Sequence, residues 1–135
     1  GMYYASQPQG NTMITVADNA LSGNWARNGG GVLCIACSPV LVRNLISDNA
    51  SDQGGGVMCW GASSPTIDTT VIAFNDSGGG LVVSDDPANP AEADVKHCNV
   101  YGNTGGNYLN WPDQTGTNGN VSENPLLAGW RPRAV

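Results

Sequence analysis

Long apolar runs are missing from this sequence. No stretch approaches the ~18–20 residues that a membrane-spanning helix needs, so no such span is expected. Basic residues are scarce: five Lys and Arg stand against eleven Asp and Glu, for a net charge of −6. Without a basic patch the chain has little to displace counterions from phosphates, and nucleic acid is not an expected partner. Charge is sparse altogether, at 12% of residues, which separates the chain from highly charged disordered tails. The opening stretch Gly1 to Pro8 has neither a basic segment nor an apolar one, so no secretory signal is read there. Nowhere do apolar residues recur at i, i+3, i+4 and i+7, which argues against long helices. Ser-His-Asp, GxSxG and HExxH motifs are also missing.

Glycine and branched residues dominate what is present. Nineteen Gly and eight Pro make up about a fifth of the 135 residues, below the low-complexity range. Val outnumbers Leu twelve to eight, and Thr adds eight more; such β-branched side chains suit a pleated, half-buried surface. The length fits one domain.

A repeat organises the chain. Triple glycines stand at 29–31, 54–56 and 78–80, with a weaker Gly105-Gly106 after them. An asparagine precedes each block: Asn24, Asn49, Asn75 and Asn103. Ser38-Pro39 and Ser64-Pro65 open two of the repeats, each proline ten residues before its asparagine. Placing the asparagines in register gives apolar columns. Val16, Leu41, Ile67 and Val95 form one, and Leu21, Ile46, Ile72 and Val100 another. Val32, Val57 and Leu81 align after the glycines, then Cys34, Cys59 and Val83. Polar neighbours flank these positions, giving period-two runs too short to bury a face alone, so stacked copies must supply the core.

The expected fold is all-β, a right-handed single-stranded parallel β-helix of about four coils with partial capping turns. One domain covers 1–135, with 1–11 as an N-terminal cap, 12–111 as coils and 112–135 as a closing turn and tail. Asparagine tolerates a left-handed backbone, and its amide repeated every ~4.7–4.8 Å can bond to copies above and below. Glycine supplies positive φ for sharp corners. In the third repeat two residues rather than four separate Asn75 from its glycines, which reads as a turn shortened outside the core.

Proline, spaced apolar residues, asparagine and GGG together resemble the right-handed parallel β-helix repeats of pectate-lyase-like and related bacterial surface proteins, over about residues 12–111. The segment 98–108, with 113–122 and Asn124-Pro125-Leu126, resembles a closing coil of such repeats. The resemblance implies an extracellular or cell-surface setting. It leaves activity open, because lyases, hydrolases, adhesins and proteins without known activity share these repeats. Lyases of this type resemble one another in a calcium site of clustered carboxylates beside a proton-abstracting base.

Candidate residues follow from the columns. Arg27 aligns with Asp52, Arg43 with Asp18 and Lys96 with Asp68, as cross-coil charge pairs that leave no free acid–base set. The insertion 85–94 carries Asp85, Asp86, Glu92 and Asp94, an acidic bulge that would admit calcium or serve as a solvated turn. Asp48 and Asp76 flank the asparagine corner, where turn hydrogen bonding outweighs a glycosidase pairing. Trp60 follows the inward Cys59 and either faces a saccharide ring or packs on a turn. His97 shares an outward column with Asp18, Arg43 and Thr69. Cys34 and Cys59 are stacked thiols, within disulfide reach of each other at a one-coil spacing. Cys37 completes a CxxC without the second pair a zinc site needs, and Cys98 replaces Asn19, Asn44 and Thr70 in another column. A row of threonines is interrupted, since Val40 stands between Thr15 and Thr66, so an ice-binding face is not expected.

The expected role is a non-enzymatic module for surface display or saccharide contact, without a bound cofactor. The alternative is a polysaccharide lyase or hydrolase, or a fragment of one, acting on acidic glycans with calcium. Open strand edges also admit end-to-end association of copies, unless Tyr3, Tyr4, Leu126, Leu127 and Trp130 act as caps.

Overall fold

In the computed structural model of this protein, residues 1–4 and 13–127 are described, the side chains of 2–4 excepted. Among these residues fifteen strands follow one another: β1 Met2–Tyr4, β2 Thr15–Ala17, β3 Ala20–Ser22, β4 Trp25–Asn28, β5 Val32–Ile35, β6 Val40–Val42, β7 Leu45–Ser47, β8 Ala50–Gln53, β9 Val57–Trp60, β10 Thr66–Asp68, β11 Val71–Ala73, β12 Leu81–Val83, β13 Asp94–Lys96, β14 Asn99–Tyr101 and β15 Tyr108–Leu109. Each strand pairs in parallel with its counterpart one coil away, and the result is a β-solenoid of about four turns.

Sheet one runs β1-β5-β9-β12-β15, sheet two β13-β10-β6-β2 and sheet three β14-β11-β7-β3, while β4 and β8 form a two-stranded fourth. The columns read from the sequence are the observed registers. Leu41 lies opposite Val16 and Ile67, and Ile67 opposite Val95. Ile46 lies opposite Leu21 and Ile72, and Ile72 opposite Val100. Val32, Val57 and Leu81 align, as do Cys34, Cys59 and Val83. Leu41, Ile46, Val57, Ile67, Ile72 and Leu81 have no exposed surface, and each such burial favours the stack by ~1.5–3 kcal/mol.

Asparagines hold the corners from inside. Asn49 Oδ1 accepts hydrogen bonds from the backbone N–H and Nδ2 of Asn24, both at 3.1 Å. Its Nδ2 donates to Asn75 Oδ1 at 3.2 Å and to the Leu21 carbonyl at 2.9 Å. Both donors and both acceptor positions of the amide are therefore used, as full burial requires. Asn75 repeats the pattern with Asn103 and the Ile46 carbonyl, and Asn103 passes it to Asn107. A second ladder joins Asn19, Asn44 and Thr70. Buried Cys98 continues that column, and its backbone N–H donates to Asn120 Oδ1 at 2.9 Å. Asn107 and Asn120, the terminal rungs, escaped the repeat because neither keeps the spacing of the coils.

One expectation about the corners is corrected and another holds for only part of each triple-glycine block. The left-handed residue is not the ladder asparagine but the one before it: Asp18, Arg43, Thr69 and His97 at one corner, and Gly23, Asp48, Phe74 and Gly102 at the next. That residue turns the chain, and the ladder residue after it, an asparagine or in two coils Thr70 and Cys98, follows the turn. The glycines also divide their work. Gly29 and Gly54 have φ of 63° and 69°, but Gly31 does not need a positive φ. A Cβ on Gly31 would lie 2.5 Å from the Gly56 carbonyl oxygen and 2.6 Å from Ile46 Cγ2, so close approach of coils is what requires glycine there.

Met2–Tyr4 extends sheet one as β1, paired with Val32–Cys34. Over the far end, Val121 bridges to Asn99 and the His97 N–H donates to the Asn118 carbonyl. Leu126 is 80% exposed and covers no core. Trp130, Arg131, Arg133 and most of the segment 1–11 lie outside the described residues.

Candidate functional site

Alternation along sheet one sends Val32, Val57 and Leu81 inward and places Leu33, Met58, Val82 and Leu109 on the outer face. Met58 and Val82 are nevertheless only 5% exposed each, because walls rise beside them. One wall comes from the side where the chain enters the sheet: Arg27 and Asn28 of β4, then Asp52 and Gln53 of β8. Trp60, Ser84 and Asp85 stand where the chain leaves it. Beyond coil two the lining continues through Gly78, Gly105, Leu109 and Asn110. The result is a groove crossing the coils, with one stretch of about 680 Å³ and another of about 470 Å³ that share Asp52, Gln53, Met58 and Ser84.

Its chemistry is mixed. The floor is apolar, and the rim offers amides, a hydroxyl, two carboxylates and a guanidinium. Trp60 is 42% exposed and lines the groove, which settles its direction outward. Arg27 stands in register with Asp52, since Ala26 pairs with Ser51 and Asn28 with Gln53. The expected ion pair between them does not form. Both side chains are exposed, where a salt bridge gains little over water. Among the described residues Arg27 is the side-chain cation without an ion-pair partner.

The other charges are engaged. Arg43 Nε and Nη2 donate to Asp18 at 2.7 and 2.9 Å, as the columns predict. This contact holds the Asp18 carboxyl below the usual carboxylate range and raises Arg43. Lys96 is in register with Asp68 but pairs with Asp94 on its own strand at 3.7 Å, a correction to the expected partner. Asp68 is taken by His97, whose Nδ1 lies 3.0 Å away, and by the Thr69 hydroxyl at 2.9 Å. These hydrogen bonds, that of His97 first, lower the Asp68 carboxyl. His97 itself faces outward, as expected.

The acids of the 85–94 insertion separate rather than gather. Asp85 lines the groove. Asp86 organises the loop: Oδ1 accepts the Ala88 N–H at 2.9 Å and Oδ2 the Asn89 side-chain amide at 3.3 Å. Glu92 is exposed, with its backbone N–H on the Ser63 carbonyl, and Asp94 faces Lys96. Among the described residues no three His, Cys, Asp or Glu side chains converge as metal ligands would, whereas calcium takes six to eight oxygens. Asp48 and Asp76 serve the corner. Asp48 holds a left-handed φ of 56° and takes the Ser47 hydroxyl, and the Asp76 N–H donates to the Asn49 carbonyl.

All four cysteines are buried free thiols. Cys34 faces Cys59 across the register, and the hydrogen bond between them together with burial drives the Cys34 thiol far up. Burial pushes Cys37 and Cys98 each up to about 11. Such thiols pack as small hydrophobes and make poor nucleophiles.

Sequence reasoning placed Trp60 and Asp85 among the candidates but missed Asn28, Gln53, Met58 and Asn110, and it assigned Arg27 and Asp52 to each other. The one signal available was the outward column Leu33, Met58 and Val82, apolar where a solvated face is polar. No protein-family model, curated protein or solved structure matches this chain.

Proposed function

We propose that the protein is a saccharide-binding β-solenoid module that does no chemistry on its ligand, of the exported, pectate-lyase-like type that its repeats resemble. The carrying observation is Trp60: a large aromatic, 42% exposed, set into a groove with an apolar floor and a polar rim. A sugar ring has an apolar C–H face that stacks on an aromatic and hydroxyls around its edge that need hydrogen-bond partners. Asn28, Gln53, Ser84 and Asn110 supply neutral partners, and Arg27 and Asp52 supply charged ones.

Calorimetric titration with neutral and uronic oligosaccharides tests this reading. Binding should weaken at least about tenfold in Trp60→Ala and stay unchanged in Trp25→Ala, since Trp25 is exposed on β4 and lines no part of the groove. No heat with any glycan, or full affinity in Trp60→Ala, removes the reading.

A hydrolase reading has one observation in its favour: Asp52 and Asp85 line the same stretch of groove, and glycosidases set two carboxyl groups across a cleft at ~5–10 Å. It predicts release of reducing ends from an oligosaccharide, abolished in Asp52→Asn.

A further inference from the structure

We infer that the groove favours saccharides carrying amino groups and disfavours polyuronates. The inference rests on the saccharide reading of the same groove and concerns only the charge of the ligand. Among the described residues, three charged side chains line the groove: Arg27, Asp52 and Asp85. Arg27 and Asp52 occupy equivalent positions on adjacent coils, so a ligand meets them together as a dipole of nearly zero net charge. Asp85, one coil further on, has no cation among the lining residues; beyond it come Gly105, Leu109 and Asn110, all neutral. One negative charge is left over, at the third coil, and the chain's net −6 adds a field of the same sign.

A polyuronate places a carboxylate on every ring. Laid along this groove, it brings like charge against both Asp52 and Asp85, and among the described lining residues Arg27 alone offers it a cation. An ammonium near Asp85 instead forms a charge-assisted hydrogen bond. The exposed face of Trp60, beside Ser84 in the same groove, attracts cations through its ring quadrupole as well as stacking on a sugar. N-acetylation leaves ring shape and stacking in place and removes the charge, so it separates the two effects.

Three hexamers serve as probes: glucosamine, N-acetylglucosamine and galacturonate, each titrated into the full chain at low and high salt. The glucosamine hexamer should bind about threefold to tenfold more tightly than its acetylated counterpart at low salt, and this preference should shrink as salt rises. Asp85→Asn should bring the two within about twofold by weakening only the glucosamine hexamer. Equal affinities in the wild type, an unchanged preference in Asp85→Asn, or tighter binding of galacturonate each overturn the charge inference while the saccharide reading stands. No binding by any of the three hexamers overturns both.

Discussion

At the scale of single residues, the ladder amides carry the most demanding requirement in the molecule. Asn49 is fully buried and uses every hydrogen-bonding position it has. Asn49→Ala strands the Asn24 N–H and the Leu21 carbonyl, and should cost ~3–5 kcal/mol in a denaturant titration, since each unsatisfied buried group costs ~1–3 kcal/mol. Asn49→Asp should be worse despite its matching shape. It replaces the donor to Asn75 Oδ1 and Leu21 with an acceptor and buries a charge. If Asp were tolerated as well as Ala, the hydrogen-bond account of the ladder would be wrong. The thiols give a second residue-scale prediction. Buried and shifted upward, Cys34, Cys37 and Cys98 should resist iodoacetamide at mildly alkaline pH in the native protein and react once it is unfolded. Mass spectrometry of the two states reads this directly, and rapid native alkylation would contradict the packing described. Spacing made these positions legible. The left-handed residue before each ladder asparagine was not, because Asp, Arg, Thr, His, Phe and Gly all occupy it and share no composition.

Among the elements, the closing turn decides how the solenoid stops. Asn120 caps the second ladder above Cys98, accepting its N–H at 2.9 Å and donating to the Val95 carbonyl at 2.8 Å, while Val121 pairs with Asn99. Asn120→Ala should destabilise the fold by ~1–3 kcal/mol and uncover the edge of β13 and β14. Exposed edges pair with one another, so the variant should shift toward dimer in sedimentation as concentration rises. A strictly monomeric variant of unchanged stability would show that the turn is ornamental. Parallel registers were readable in the sequence because every inward position repeats the same demand, an apolar side chain over an apolar side chain. Outward positions answer to water or a ligand and repeat less strictly, and the groove left only the apolar column Leu33, Met58 and Val82 as its sign. The third coil illustrates both. Its two missing residues were visible, but the consequence, a fourth sheet of only β4 and β8 whose wall continues as Gly78 and Gly105, needed three dimensions.

Across the whole molecule, each coil touches only its neighbours, so stability is a sum of similar interfaces and local damage propagates along the stack. The surface charges add a pH dependence whose sign is fixed. Hydrogen bonds from Arg43, from His97 and from Thr115 hold the carboxyls of Asp18, Asp68 and Asp113, respectively, below their ordinary values. On acidification the unfolded chain therefore takes up protons first. The contribution of these groups is complete above about pH 5 and drains away as pH falls through about 4 toward their lowered folded values. The Tm should stay level between about pH 7 and 5 and decline below about 4, by a modest amount because the groups are exposed. A Tm that rises on acidification would contradict the assignment. The ladders have one more consequence, for how the chain can be made. Asn49-Ala50-Ser51, Asn75-Asp76-Ser77 and Asn120-Val121-Ser122 each spell an acceptor triplet for N-linked sugar. Oligosaccharyltransferase works on chains still entering the endoplasmic reticulum, before these amides are shut inside. A glycan attached there could not be enclosed, so a yeast or mammalian secretion host should yield modified, unfolded product where bacterial cytoplasm yields a solenoid.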